Sequence, residues 1–164
     1  MQYCTNCCMP DTKPGVFFDE RGWCNSCRTV EFKKTINWDE RWKQLVSIAD
    51  EIKARNTSQY DCVVPVSGGK DSYFQTHLIK KVYGLNPLLV TYNANNYTQT
   101  GMKNLLNMRE AFGVDHIFFT PSVDVLKKMN RLGMQIMGDM SWHAHAGMYT
   151  YPVRAAVQYN TPLM

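Results

Sequence analysis

The segment SGGKDS, residues 67–72, constrains this chain most, because it joins an apolar run to a helical pattern. Before it, residues 60–66 (YDCVVPV) are typical of a buried parallel strand, in which Pro65 is tolerable only at the end. After it, residues 72–83 predict a helix that Gly84 closes. This order predicts a phosphate-binding loop, because glycines let the backbone approach an anion and a helix N-terminus offers free N–H groups.

The rest of the chain alternates strands and helices in the same way. A strand is predicted at each of two further apolar runs, and a helix follows each of them. The predicted strands are 87–92 and 115–120, and the predicted helices are 101–112, Ser122 to about 132 with Val125, Met129 and Leu132 on one face, and 145–158 with a bend or break at Pro152. The order β-α-β-α-β-α predicts an α/β fold with a doubly wound parallel sheet.

The last four residues, 161–164 (TPLM), resemble the first residues of a fourth strand. Three strands and the start of another would form a thin sheet with unfinished pairing. We therefore expect the chain to be a C-terminally truncated piece of a longer protein.

Five of the six cysteines fall within the first 27 residues. Cys4-x2-Cys7 and Cys24-x2-Cys27 are separated by sixteen residues, which is the spacing of a four-cysteine zinc ribbon. Four thiolates complete a tetrahedral shell, so the predicted Zn²⁺ site is structural. Cys8 remains an alternative to Cys7 as the ligand, and an iron–sulfur cluster is the less fitting alternative to zinc.

Three segments follow from these patterns. Residues 1–35 form the predicted zinc-ribbon module of loops and hairpins, 36–58 a linking helix capped by Asn37, and 59–164 the loop-bearing domain, which we expect to be incomplete. A hydrophobic fraction of 45% supports a buried core.

Charge and hydropathy exclude other classes. The net charge of +4 suits an anionic nucleotide but is too small to indicate a nucleic-acid surface. The N-terminal residues have no apolar signal region, and no stretch reaches the roughly 18 apolar residues of a membrane span. We expect a cytoplasmic protein that binds neither membrane nor nucleic acid.

The loop is similar to the S-G-G-x-D-S signature of the PP-loop, which marks the ATP pyrophosphatase superfamily; it does not fit the Walker A pattern. The resemblance implies that ATP is bound, that a substrate oxygen attacks the α-phosphate, and that AMP and pyrophosphate are the products. Ser67 and Ser72 would donate hydrogen bonds and Lys70 would add charge, while Asp71 would cap the helix or orient Mg²⁺. The implied ATP-binding residues are Pro65, Val66, Ser67, Gly68, Gly69, Lys70, Asp71, Ser72 and, past the second strand in Tyr92-Asn93-Ala94, Asn93.

Four segments resemble the N-acetyl sugar amidotransferase family of surface-polysaccharide (lipopolysaccharide O-antigen) biosynthesis. They are YCTNCCMPDT…GWCNSC, VPVSGGKDS, LLVTYNANNYT and GDMSWHAHAGMYTYPVRAA. The resemblance implies conversion of an acetamido sugar, carried on a nucleotide, to an acetamidino sugar. It also implies a glutaminase partner that supplies ammonia.

The segment GDMSWHAHAGMY forms a second candidate site. Asp139, Trp142, His143 and His145 follow the third predicted helix, where they could reach the ligand edge of the sheet. An aromatic ring can cover a sugar face and a histidine can move protons near pH 7, so His143 and His145 join Lys70 and Asp71 as candidate catalytic residues. His143-x-His145 could also bind a metal, and a packed helix junction is the alternative; no general base is assigned.

Two other functions stay open. A PP-loop tRNA thiolase also joins a zinc ribbon to this loop, but such enzymes commonly need catalytic-domain cysteines, and none follows Cys62. The other is a non-catalytic module that binds ATP and zinc without turnover.

Overall fold

The computed structural model describes residues 1–94 and 97–164. Asn95 and Asn96, which belong to the LLVTYNANNYT segment, lie outside the described residues. The strands are β1 (Cys62–Pro65), β2 (Pro87–Tyr92) and β3 (His116–Phe119), and the helices are α1 (Asn25–Lys34), α2 (Trp38–Arg55), α3 (Lys70–His77), α4 (Gln99–Phe112), α5 (Val123–Met137) and α6 (Trp142–Gln158). A π-helical turn, Leu78–Val82, continues α3.

The chain divides into two compact units, Met1–Leu45 and Val46–Met164. The boundary falls inside α2, within the predicted linking segment 36–58. Asn37 caps α2 as predicted, because its side-chain oxygen accepts a hydrogen bond from the Glu40 N–H at 3.1 Å.

The first unit has its own small core, in which Cys4, Cys24 and Cys27 are packed by Met9, Val16, Phe18 and Trp23. Two antiparallel bridges, Tyr3↔Pro10 and Phe18↔Cys24, shape its loops. The prediction of loops and hairpins alone is wrong at α1, which begins directly after Cys24. Cys24 is extended and leads into the helix, and Lys33 and Lys34 in the last turn favour its C-terminal end.

The second unit contains a parallel sheet in the order β1-β2-β3. One face packs against α3 and α4 through a core that includes Val64, Leu89, Leu105 and Met108. The other face carries Val63, Leu88 and Val90 against Ala155 of α6. Helices therefore cover both faces, which confirms the doubly wound α/β fold.

Leu163 pairs with Cys62 in a parallel bridge, and the Val63 N–H donates to the Leu163 carbonyl at 2.9 Å. Because β2 occupies the other edge of β1, the chain returns to the opposite side of β1, and the last residues begin to pair as predicted. The strand order thus reverses at β1, and in α/β sheets ligands bind at such a reversal, beyond the carboxyl ends of the strands.

Helix α5 differs from its prediction in length and in orientation. It is capped by Ser122 but runs on to Met137, where Gly138 takes a left-handed conformation. Its buried residues are Leu126 and Gly133, whereas Val125 is 50% exposed and Leu132 48%. Two of the three residues predicted to share a face are thus exposed. The turn after the helix packs on Gly133 instead: a Cβ there would lie 2.6 Å from the Asp139 carbonyl oxygen.

Helix α6 begins three residues earlier than predicted and continues through Pro152 as one helix. Of the predicted bend or break, the break does not occur, and the Pro152 ring is buried within the continuous helix. Among the described residues, no helix is long and apolar enough to cross a membrane.

Candidate functional site

The glycine-rich loop follows β1 and passes close to α4. Gly68 has φ +78°, and a Cβ there would lie 2.9 Å from the backbone N and Cα of Leu105. Both the left-handed conformation and the lack of space require glycine at this position. The loop backbone is therefore exposed on one side and fixed against a helix on the other.

The N-terminus of α3 is open toward this loop. Gly69 is the N-cap residue and is extended, with no side-chain cap, and the first helical bond runs from the Tyr73 N–H to the Gly69 carbonyl. The prediction that Asp71 caps the helix is wrong, since Asp71 lies in the first turn, after the cap position. A helix start without a side-chain cap is suited to an anion.

Two serines connect the ends of the loop. The Ser67 N–H donates to Ser72 Oγ at 3.0 Å, and the two hydroxyl oxygens are 3.4 Å apart. Ser72 is buried, whereas Ser67, Lys70 and Asp71 are exposed. The Ser72 hydroxyl therefore accepts from the backbone and contacts the Ser67 hydroxyl, which holds the two ends of the loop together.

A cavity of about 310 Å³ opens beside the loop at the carboxyl ends of β1 and β2. Its lining includes Pro65, Val66, Ser67 and Ser72 from the loop region. It also includes Tyr92, Tyr97, His145, Met148 and Tyr149. The structure thus brings His145 together with the loop residues predicted from the sequence.

Gly147 of α6 sets the position of one cavity wall. A Cβ on Gly147 would overlap the ring of Tyr92, so the ring lies directly against the helix backbone. Tyr92 also contacts Phe119 at a centroid distance of 5.7 Å, and Phe119 stacks on Tyr151 at 4.4 Å. The Tyr92 ring is therefore held by packing before any ligand arrives.

Several predicted residues do not line the cavity: Gly68, Gly69, Lys70 and Asp71 of the loop, and Asn93, Asp139, Trp142 and His143. The Asn93 side chain is buried and donates to the Thr120 hydroxyl at 3.1 Å, so it joins the ends of β2 and β3. His143 is buried between helices, where its Nε2 contacts the side-chain oxygen of Asn130 in α5. His143 and His145 thus have different surroundings.

Several further residues line the cavity without a sequence signal that predicted them, among them Tyr97, Met148, Tyr149 and Met164. Tyr149 follows His145 by four positions, and this spacing predicts that the two side chains share one face of a helix. Whether that face lines the cavity depends on how α6 is rotated about its axis, which the sequence does not define.

The four predicted zinc ligands come together in the first unit. The Sγ atoms of Cys4, Cys7, Cys24 and Cys27 all lie within 4.8 Å of one another. Cys4 and Cys27 are 3.9 Å apart, and Cys7 and Cys24 are 3.6 Å apart. A tetrahedral zinc with Zn–S of about 2.3 Å separates its sulfurs by about 3.8 Å, so the donor set fits Zn²⁺.

The cluster also distinguishes Cys7 from Cys8. Cys8 is outside it, at φ +60° directly after the first cysteine pair.

Burial raises the pKa of the Cys4 thiol, but backbone N–H donors from Cys24, Asn6 and Cys7 outweigh it and lower the pKa to about 6. Within residues 1–94 and 97–164 no other group of three or more His, Cys, Asp or Glu side chains is placed to hold a metal, and His143-x-His145 does not form one.

Comparison with known proteins supports the fold. No family model matches the chain. A solved structure of an NH3-dependent NAD synthetase from Campylobacter jejuni aligns with 78% of this chain and 56% of its own, at a TM-score of 0.56 and 13% identity. An NMN synthetase from Francisella tularensis aligns with 78% of this chain and 53% of its own, at a TM-score of 0.49 and 18% identity.

An uncharacterised protein of Methanocaldococcus jannaschii is 29% identical over 104 residues, which cover 63% of this chain and 37% of that relative. The chain therefore spans well under two thirds of the curated relative it matches. At 13% identity the NAD synthetase establishes a shared PP-loop type of fold and nothing finer.

Proposed function

We propose that this chain carries the ATP site of an AMP- and pyrophosphate-forming amidotransferase. Its acceptor is the acetamido group of a nucleotide-linked N-acetyl sugar in surface-polysaccharide biosynthesis, and its product is an acetamidino sugar. The observation that carries the ATP assignment is the loop at the reversal point of the sheet. There Gly68 admits no side chain and α3 begins without a side-chain cap.

The ATP phosphates would lie on the loop. The N–H groups at the start of α3 face them, Ser67 and Ser72 supply hydroxyl donors, and the exposed Lys70 adds positive charge. Asp71 is exposed beside the helix start, so its carboxylate is available to a Mg²⁺ that accompanies the nucleotide. The base and ribose would occupy the neighbouring cavity against Pro65 and Val66.

The reaction begins with an unreactive amide. The acetamido oxygen attacks the α-phosphorus, the bond from that phosphorus to the bridging oxygen breaks, and pyrophosphate leaves with the electron pair. The resulting imidate carries AMP as its leaving group. Ammonia adds to the imidate carbon, a proton is lost, the carbon–oxygen bond breaks, and AMP departs to leave an amidine.

His145 is the proposed residue for proton movement, because it is exposed and shares the cavity with Ser67 and Ser72. His143 is not given this role, since it is buried against α5. A fold shared with an NH3-dependent synthetase is compatible with ammonia as the nitrogen donor. A cytoplasmic glutaminase partner that releases ammonia belongs to the same proposal.

ATP binding is tested with a pair of glycine variants. Gly68→Ala places a methyl group against Leu105 at φ +78°, whereas Gly113→Ala has φ +61° with nothing within 4 Å of the new Cβ. Both variants bear similar backbone strain of about 1 kcal/mol. We expect the ATP affinity, measured by calorimetry, to fall at least about tenfold in Gly68→Ala only, which corresponds to about 1.4 kcal/mol. Equal affinities in the two variants would place the nucleotide elsewhere.

The reaction is tested by phosphorus NMR with Mg-ATP, ammonium and UDP-linked N-acetyl sugars. Formation of AMP and pyrophosphate that depends on the sugar supports the proposal. ADP and phosphate as products contradict the PP-loop chemistry. ATP binding with no turnover under any of these conditions favours the module that binds without catalysis.

A further inference from the structure

The peptide between Val66 and Ser67 is held at both of its polar atoms by buried hydroxyl groups. The Thr91 hydroxyl donates to the Val66 carbonyl at 2.7 Å. On the other side, the Ser67 N–H donates to Ser72 Oγ at 3.0 Å. Thr91 is 1% exposed and Ser72 is 7% exposed, so water does not compete for either bond.

The Thr91 hydroxyl has two hydrogen-bond contacts and one hydrogen to donate. A hydroxyl has one hydrogen, and Thr91 gives it to Val66, so Thr91 accepts at its second contact. That contact is His116 Nε2 at 2.9 Å, which must therefore carry a hydrogen. Burial lowers the pKa of His116 to about 4, with Arg109 adding charge repulsion, so the ring is neutral at pH 7 with its proton on Nε2.

The bond to Val66 lies outside the regular pairing of the sheet. The Val66 N–H already donates to Val90 on β2 at 3.0 Å, and β1 ends at Pro65. The Thr91 side chain thus extends the attachment of β1 to β2 by one more carbonyl, at the point where the chain turns into the loop. Without it, the Val66–Ser67 peptide could rotate about its flanking bonds.

We propose that Thr91, supported by His116, is a positioning residue for the phosphate-binding loop. It fixes the plane of the Val66–Ser67 peptide, and this orients the N–H groups of Gly68 and Gly69 that follow. The effect on a nucleotide rests on the function proposed above. The effect on the loop backbone does not, and it is measurable in the ligand-free protein.

The experiment compares Thr91→Val, which keeps the shape and removes the hydroxyl, with Thr91→Ser, which keeps the hydroxyl. Thr76→Val is the matched control, because Thr76 is equally buried and its hydroxyl donates to the Ser72 carbonyl inside α3, not to the Val66–Ser67 peptide. Amide hydrogen exchange of Ser67 and of Leu89 is followed by NMR. The ATP affinity and the melting temperature are measured on the same samples.

In Thr91→Val we expect exchange at Ser67 to rise at least about tenfold more than at Leu89, and the ATP affinity to fall about fivefold or more, the size of one net hydrogen bond. Thr91→Ser should stay within about twofold of the wild type in both, because it restores the donor. Thr76→Val should lower the melting temperature without changing Ser67 selectively.

A uniform rise in exchange at Ser67 and Leu89 would overturn the inference, since Thr91 would then serve only general stability. So would a Thr91→Ser variant that behaves like Thr91→Val. If the wild type does not bind ATP, the proposed function fails, and the exchange data still decide whether Thr91 positions the loop.

Discussion

His116 is a half-buried side chain through which the sheet, the loop and the pH dependence of stability are connected. Its ring lies beside Thr91 and packs edge-on against Phe118 at 5.7 Å. Burial is the main cause of its lowered pKa of about 4, and the charge of Arg109 adds to it. The folded protein therefore keeps the ring neutral under conditions in which an unfolded chain would protonate it.

We expect the free energy of unfolding to fall as the pH drops from about 6.5 to about 4. In this window the unfolded chain binds a proton at His116 and the folded protein does not, so protonation favours unfolding, by roughly 2–3 kcal/mol in full. His116→Gln should remove that part of the pH dependence in urea titrations at pH 7.5 and pH 4.5. His77→Gln, at an exposed histidine of α3, is the control for loss of a histidine elsewhere in the unit.

The packing of α6 on β2 depends on a glycine, Gly147, at the point of contact. Gly147 leaves space for the Tyr92 ring, and that ring forms a wall of the cavity. The contact therefore joins the position of a helix to the shape of a site at the end of a strand. A change at Gly147 should affect both stability and ligand binding.

Gly147→Ala should destabilise the protein by about 1–3 kcal/mol, because the new methyl group overlaps the Tyr92 ring and the core must yield. In a Tyr92→Ala background the same substitution should cost little, since the overlapping ring is gone. A double-mutant cycle by urea denaturation measures this coupling. Additive effects of the two substitutions would show that the overlap is relieved elsewhere.

The sequence predicts elements well where local signals are complete. β2 was predicted residue for residue, because its six residues are bounded by polar asparagines on both sides. Gly84 and Gly113 end their helices in the left-handed conformation, as expected. The predicted end of α5 at about residue 132 is too early, because the helix continues through Gly133, where the Asp139 carbonyl approaches closely, to Met137.

The site was predictable only where it is contiguous. Residues 67–72 carry a motif, and the structure places them at the strand–helix junction. Thr91 bonds to the start of the loop and Tyr149 lines the cavity beside it, and their placement depends on the register of β2 and the rotation of α6. No local pattern specifies these, which is also why His143 could not be separated from His145 in advance.

At the scale of the whole molecule, the two units have separate cores and different means of stability. The first unit, Met1–Leu45, has a core made chiefly of its cysteines. A segment of this size rarely buries enough apolar surface to fold alone, so a structural metal fits its needs. The second unit has the sheet and a core on each face.

Removal of zinc by a strong chelator under reducing conditions should unfold the first unit and spare the second. NMR amide signals of Cys24 and Trp23 should collapse, while those of Leu89 and Val90 persist. Cys8→Ser should retain about one zinc per chain and Cys7→Ser should lose it, because only Cys7 lies in the cluster. Equal zinc content in the two variants would contradict the assigned ligand set.

The pairing of Cys62 with Leu163 has a consequence for how the chain is made. β1 leaves the ribosome about a hundred residues before Leu163, which at 5–20 residues per second is an interval of about 5–20 s. During this interval no strand lies beside the Val63 N–H, which later donates to the Leu163 carbonyl. A newly made chain thus carries an open strand edge next to its glycine-rich loop, and that edge is available to other nascent chains until Leu163 arrives.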